Sequence, residues 1–429
     1  MFLTSLDIFI IAAYAVILFA LAQYVSREPK GAHKNTEDYF LAGKSLPWWA
    51  IGASLIAANI SAEQIIGMSG DGYKIGLAIA AYEWQAAIVL SLVAKFLLPI
   101  FLKREIYTMP QFLETRYGEG IKISMSLFWI VLYTIVNLTA VMWLGSIAVN
   151  TLTNISLFWG MAGLAAFALA YSMFGGLKAV ALTDMLQVTV LVAGGIAIAW
   201  ITMRMIGGDK GVLGGFERLY TEFPGKFHMI LEESHAAYGK LPGIWTILGG
   251  LWVLHFSYWG FNQYIIQRAL GAKNVSEAQK GLVFAAALKL LMPLIIVLPG
   301  IAAVMLVAPE MAVIDKNILD TVSDRAYPEV MKIMPSGLRG LIFAALIAAI
   351  VSSLASMVNS ISTIFTMDIY RDYLIKDKSE EHYVMIGRIT AVAAMVIALL
   401  TAKPLLGDME GAFQKIQEYS GFIAPGIVA

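Results

Sequence analysis

Apolar residues along this chain fall in long runs, and the polar interruptions within those runs carry most of the information. Eleven apolar segments lie at roughly 8–25, 47–68, 76–101, 121–152, 155–174, 178–206, 242–269, 281–308, 338–366, 384–403 and 411–429. Runs of about 18 residues or more are long enough to cross a bilayer as helices. The pattern therefore predicts an all-α polytopic membrane protein. Two segments are interrupted. The second, through Ala53–Gln64 (ASLIAANISAEQ), starts behind Trp48 and Trp49 as an ordinary membrane helix. It then places Asn59, Ser61, Glu63 and Gln64 at lipid depth. The seventh, LWVLHFSYWGFNQ, does the same with His255, Ser257, Tyr258, Asn262 and Gln263. Polar groups at that depth are costly and normally face a cavity, a partner or an ion. A helix that breaks there frees carbonyls that only protein or a wet pathway can satisfy.

Basic residues in the short loops set the topology. Arg27, Lys30, Lys34 and Lys44 follow the first segment, Lys103, Arg104, Arg116 and Lys122 the third, and Lys178 the fifth. Arg268, Lys273 and Lys280 follow the seventh, and Arg371, Lys376, Lys378 and Arg388 flank the loop after the ninth. All these loops fall on one side, so that side is expected to be cytoplasmic and the N-terminus outside. The two interrupted segments, five apart, then cross in opposite directions. That is the arrangement of an inverted five-plus-five repeat with its site at the centre.

Composition agrees: 59% of residues are hydrophobic and 14% charged, with a mean hydropathy of +0.74, whereas soluble domains carry roughly a quarter charged residues. The net charge of zero gives no reason to expect a nucleic-acid partner. With no cysteine there is no disulfide, thiolate nucleophile or Cys-ligated metal. MFLTSLD lacks a basic n-region, so the first segment reads as a retained helix. The last segment stops at Pro-Gly-Ile-Val-Ala, still apolar and without a basic flank, as expected of a chain cut within a helix.

Each remaining polar group has a functional and a plainer reading. Glu83 in AYEWQ is a proton relay, an acceptor for sugar hydroxyls or half of an ion pair; Lys289 in AALKLLMP is its natural partner, limiting the desolvation cost of both. Asn137 and Gln417 either contact substrate or join helices. Tyr258 and Trp259 are belt aromatics or, given their polar neighbours, a platform for a sugar face. Ser352 and Ser353 either permit close helix packing or, beside the carbonyls of Ala57 and Ile60, form an oxygen cage for Na⁺. His255, the only histidine within a membrane segment, titrates, bonds substrate or satisfies a neighbour. No Ser-His-Asp order, HExxH or P-loop supports a catalytic or ATP-driven role.

The runs EDYFLAGKSLPWWAIGASLIAANISAEQ, YSMFGGLKAVALTDMLQ, YWGFNQYIIQRALGAKNVSEAQKG and AAIVSSLASMVNSISTIFTMDIY closely resemble the sodium/solute symporter family, in its sodium/glucose–galactose branch. The resemblance covers essentially the whole chain, and the GGLKAV..TD..Q and NQYIIQR blocks are its specific marks. It implies an extra N-terminal helix with its cytoplasmic loop (1–46), a first five-helix repeat (47–206), an extracellular loop (207–241) and an inverted second repeat (242–429). The core is of the LeuT type, with its last helix incomplete. By position, the resemblance implies a sodium site on the carbonyls of Ala57, Ile60 and Ala349 and the hydroxyls of Ser352 and Ser353, with Asp184 on the cytoplasmic exit path. It places sugar contacts at Asn59, Gln64, Glu83, Lys289 and Gln417, Asn137 nearby, and Tyr258 as an inner gate stacking on the sugar. Two positions depart from the galactose-transporting pattern: His255 stands for an asparagine, and Ala86 for a serine.

The expectation is a Na⁺-coupled hexose symporter of the cell inner membrane that works by alternating access and is no enzyme. Rivals are a polyol, acidic sugar or amino acid substrate, a transporter-like sensor, and an intramembrane enzyme using His255 and Glu83 as acid and base. Glu83 argues against a carboxylated substrate by like-charge repulsion.

Overall fold

The computed structural model describes residues 2–25, 35–235, 237–239, 241, 243–307, 323–406 and 412–428, with the backbone alone at 171, 173–176, 412–416 and 419. Among these residues the secondary structure is helical, apart from an isolated parallel bridge between Leu46 and Ala272. Among the described residues, seven helices are long and apolar enough to cross a membrane, or eight when the bent pair Trp48–Asn59 and Glu63–Lys74 is taken as one span. The protein is a multi-pass membrane protein.

In chain order the helices of the membrane region are α1 (Ser5–Val25), α2 (Trp48–Asn59), α3 (Glu63–Lys74), α4 (Leu77–Lys103), α5 (Glu119–Thr153) and α6 (Leu157–Gly207). They continue as α7 (243–261), α8 (Gln263–Leu270), α9 (Val275–Ile295), α10 (Val297–Leu306), α11 (Leu338–Leu374), α12 (Glu380–Leu406) and α13 (Ala412–Val428). The segments expected at 155–174 and 178–206 join as the continuous helix α6, whose apolar stretches include Leu157–Ala170. A Gly-Gly pair weakens a helix by only about 1 kcal/mol per residue, which packing readily offsets.

Both interrupted segments break. Between α2 and α3 the chain turns by 61°, Ile60 leaves helical geometry (φ −76°, ψ 76°), and Ser61 N–H bonds to the Asn59 carbonyl at 2.8 Å. Between α7 and α8, Asn262 is extended (φ −76°, ψ 121°). Its Oδ1 accepts the Tyr133 hydroxyl of α5 at 2.8 Å, and that hydroxyl in turn accepts Gln263 N–H at 2.9 Å. Wide π turns adjoin each break, at Glu63–Met68 and Ser257–Phe261, a winding frequent at functional sites.

Burial orders the helices. In α11, 89% of the apolar window lies inside the protein, whereas in α1 the share is 22%; α11 is thus a central strut and α1 a peripheral helix facing lipid. Glycines let backbones meet where helices cross. A Cβ on Gly300 of α10 would lie 2.1 Å from the Ser69 carbonyl oxygen of α3. The C-terminal end of α3 is closed by Lys226, whose ammonium donates to the carbonyls of Tyr73 and Lys74 at 2.7 Å each.

Two residues assigned to loops are not loop charges. Arg268 ends α8 fully buried, and Lys122 is buried in ion pairs with Asp372 (2.5 Å) and Glu114 (2.9 Å). Hydropathy counts a cation near a helix end as loop, because it cannot see the carboxylates that other helices bring to it. Arg27, Lys30 and Lys34 lie outside the described residues.

Gly300→Ala is expected to destabilise the protein by about 1–3 kcal/mol, since its new methyl meets backbone that cannot rotate away. Thermal unfolding in detergent, followed by intrinsic fluorescence, should register a clear fall in midpoint.

Candidate functional site

The two helix breaks, α4, α9 and α13 enclose a buried polar cavity of about 30 Å³, room for about two waters. All the candidate sugar contacts except Asn137 line it: Asn59, Gln64, Glu83, His255, Tyr258, Lys289 and Gln417, together with Glu63, Tyr82, Ala86, Leu254 and Trp259. Asn137 lines an adjoining cavity of about 40 Å³, which shares Glu63, Leu254, Tyr258 and Gln417 with the first.

Lys289 organises the site. Its ammonium donates to both Glu83 oxygens, at 2.9 and 2.7 Å, and to Asn59 Oδ1, and lies 5.1 Å from the Trp259 ring centroid. Lys289 and Glu83 are each 1% exposed. The bonds run on from Asn59 Nδ2 to the Tyr258 hydroxyl (3.0 Å) and from there to the Tyr264 hydroxyl (2.5 Å). One polar chain thus joins α4, α9, α2, α7 and α8. Around it, Glu63 Oε1, Gln64 Oε1 and His255 Nε2 are buried without a hydrogen-bond partner. A buried polar atom left unpaired costs about 1–3 kcal/mol, so these atoms mark where a hydroxylated ligand or water would bond. The carboxylate and amide oxygens are acceptors, hence they call for donors.

A second cluster lies where α2 ends against α11. The Ser353 hydroxyl donates to the carbonyls of Ala58 (2.9 Å) and Ala57 (3.3 Å), which the break releases from the helix ladder. Ile60 and Ala349 are buried. Ser352 turns away from Ala57 and donates to Asp184 Oδ1; Asp184 also accepts from Ser54 at 2.5 Å and faces the Arg268 guanidinium at 4.0 Å. Arg268 further donates to Ser54 (2.7 Å), the Tyr264 carbonyl and Ser356. Carbonyl and hydroxyl oxygens of this kind suit a hard monovalent cation. No group of three or more His, Cys, Asp or Glu residues among those described is placed to hold a metal ion.

The sodium:solute symporter family model matches residues 39–429. The chain belongs to this family. As a family member it is 53% identical, over its whole length and 80% of the relative's, to a sodium/glucose cotransporter of Vibrio parahaemolyticus. It is 32% identical to sodium/glucose cotransporter 4 of Mus musculus, over all of the chain and 64% of that protein. It is also 32% identical to sodium/myo-inositol cotransporter 2 of Sus scrofa, over 98% of the chain and 64% of that protein. It thus spans a little under two thirds of these mammalian relatives. A solved substrate-bound, outward-open Na⁺-coupled sialic acid symporter superposes with a TM-score of 0.84, covering 100% of this chain and 86% of that one at 21% identity. The symporter fold is therefore the all-α, LeuT-like inverted five-plus-five core with an extra N-terminal helix.

Three residues of these polar clusters carry little signal of their place in the sequence. Hydropathy reads Arg268 as a loop cation, and Tyr264 lies beyond the polar run of α7. Glu63 stands in the broken segment outside the contacts that the resemblance implies, yet it lines both cavities. The signal for Glu63 was a carboxylate at lipid depth; Tyr264 carried none.

Lys289→Met should destabilise the protein by about 3–5 kcal/mol, because it strands a buried carboxylate. Adding Glu83→Gln should recover most of that loss. Thermal melts of the two single variants and the double variant in detergent give the cycle.

Proposed function

We propose that the protein is a secondary active symporter that couples Na⁺ entry to uptake of a hexose of the galactose or glucose type by alternating access. The observation that carries this reading is the buried chain Glu83–Lys289–Asn59–Tyr258, closed around a polar cavity and attached at Asn59 to the helix end whose freed carbonyls face Ser353. The names of the Vibrio and mouse relatives support the same cargo pair.

In this reading Glu83, Lys289, Asn59, Gln64, His255 and Gln417 bond the sugar hydroxyls, Tyr258 closes the inner side, and Asn137 lines the space behind it. Without sugar, the polar groups satisfy one another and the cavity is far too small for a pyranose. Sugar entry therefore replaces internal bonds with ligand bonds, and it requires the walls to separate. Na⁺ is coordinated by the carbonyls of Ala57, Ile60 and Ala349 and the hydroxyls of Ser352 and Ser353. On binding, Ser353 changes from donor toward the α2 carbonyls to ligand of the ion. Ser352 exchanges Asp184 for Na⁺, and Asp184 receives the ion on its way to the cytoplasm.

Coupling follows from distance along the chain: Ala57 and Asn59 are two residues apart, so an ion that fixes the end of α2 also fixes the amide that holds Lys289 and Tyr258. A cation with this preference shifts the population toward the sugar-competent state. The Na⁺ gradient and membrane potential supply the driving force, and no covalent step takes part. The protein is placed in the cell inner membrane with its N-terminus outside. Its repeats are 47–206 and 242–429, preceded by the 1–46 segment and separated by the 207–241 loop. Glu63 and Glu83 together disfavour a carboxylated cargo.

The test is uptake of labelled galactose, glucose and myo-inositol into proteoliposomes under an inward Na⁺ or K⁺ gradient, with Ser353→Ala alongside. Accumulation of a hexose with Na⁺ alone, reduced about tenfold or more by loss of one ion ligand, is the expected result. Equal uptake in both salts overturns the coupling, and Na⁺-driven uptake of inositol alone reassigns the cargo to a polyol.

A further inference from the structure

The N-terminal helix α1 lies outside the predicted repeats and lines neither polar cavity, yet it holds one of the most fully bonded carboxylates among the described residues. Asp7 is 0% exposed. Its Oδ1 accepts the amides of Gly337 (2.7 Å) and Gly340 (3.0 Å) at the start of α11. Its Oδ2 accepts Arg339 through two guanidinium nitrogens (3.1 and 2.7 Å) and Thr4 through amide and hydroxyl (2.9 Å each). The start of α11 has no side-chain cap of its own, because the residue at that position is Gly337 at φ +87°. Asp7 supplies the cap from another helix, with a negative charge at the positive end of the α11 dipole.

Contact continues down the two helices. A Cβ on Gly340 would fall 2.6 Å from Asp7 Cα. Tyr14 and Leu18 then pack on Ala344 and Ala348. Gly340, Ala344 and Ala348 follow one another at four-residue steps along α11, and one further step, about 120° around the helix from Gly340, brings Ser352. From Gly340 to Ser352 is about 18 Å of helix.

We propose that α1 is a splint for α11, and that Asp7 is a positioning residue that sets the height and rotation at which α11 presents Ser352 and Ser353 to sodium. This rests on the reading of those serines as sodium ligands. Asp7→Asn cannot reproduce the contact. Its amide has one acceptor oxygen and one donor group, so either the α11 amides or Arg339 and Thr4 lose their acceptor. A carboxylate that merely held the fold together would lower yield or maximal rate without selecting for the ion.

The experiment uses the full-length chain, with Asp7→Asn, Asp7→Glu and Arg339→Gln beside the parent. Galactose uptake into proteoliposomes is measured against Na⁺ concentration. Na⁺-induced thermal stabilisation is measured in detergent without sugar. Asp7→Asn is expected to raise half-saturating Na⁺ about tenfold in both measurements, the share of one charge-assisted contact, with uptake at saturating Na⁺ kept within about twofold. Arg339→Gln should move the same way, and Asp7→Glu, which keeps the charge, should recover part of the affinity. If Asp7→Asn does not fold, Arg339→Gln decides by the same criterion. Unmoved half-saturation in a Na⁺-dependent parent, or a fall in maximal uptake alone, overturns the role of Asp7. A parent without Na⁺ response in either measurement overturns the symport reading itself.

Discussion

A lysine ammonium held away from water between a carboxylate, an amide oxygen and an indole face is the contact on which the centre of this protein depends. Burying Lys289 and Glu83 separately would cost several kcal/mol each, and their attraction offsets that cost only if geometry and further hydrogen bonds are good. The structure supplies both: two Glu83 oxygens, Asn59 and the Trp259 face surround one ammonium. Because the partners come from α4, α9, α2 and α7, satisfying one charge fixes four helices relative to one another. A ligand that competes for those bonds therefore acts on the helices as well as on the cavity.

The helix breaks make such a site affordable. Unwound backbone inside a membrane protein survives where protein groups satisfy it, and each break has its own brace. Ser353 donates to the carbonyls at the end of α2, while Tyr133 bonds both the side chain and the following amide at the α7–α8 break. Tyr258 and Tyr264 connect the breaks through their hydroxyls. The groups proposed to face the cation and the sugar are thus ends of one bonded assembly, which gives the proposed coupling a physical route without any long-range device.

A second buried charge cluster joins Arg268 and Asp184 to Ser54 and to Ser352 and Ser356 of α11, so it includes one of the proposed ion ligands. Together with Asp7 at the N-terminal end of α11, it means that this helix is held by charged hydrogen bonds at two heights. That helix is also the most deeply enclosed of the long spans. A central, multiply anchored helix is a sensible carrier for ion ligands, whose positions must hold to a fraction of an ångström.

What the sequence determined by itself follows from hydropathy and helical pitch. Long apolar runs require membrane helices, and polar residues at lipid depth in the second and seventh runs require breaks; both breaks fall within the stretches that carry those residues. Asn59, Gln64, His255 and Tyr258 were legible because they interrupt apolar runs, and Glu83 and Lys289 because an isolated membrane charge needs a partner. Only the tertiary structure decided which partner each group has. Sequence spacing could not place Asn137 behind Tyr258, turn Ser352 toward Asp184 or bury Arg268, since each depends on how helices distant in sequence rotate against one another. Nor could it distinguish Asp7 from an ordinary acidic residue at a helix start. Its acceptors are filled by amides and a guanidinium some 330 residues away, and only packing brings them within reach.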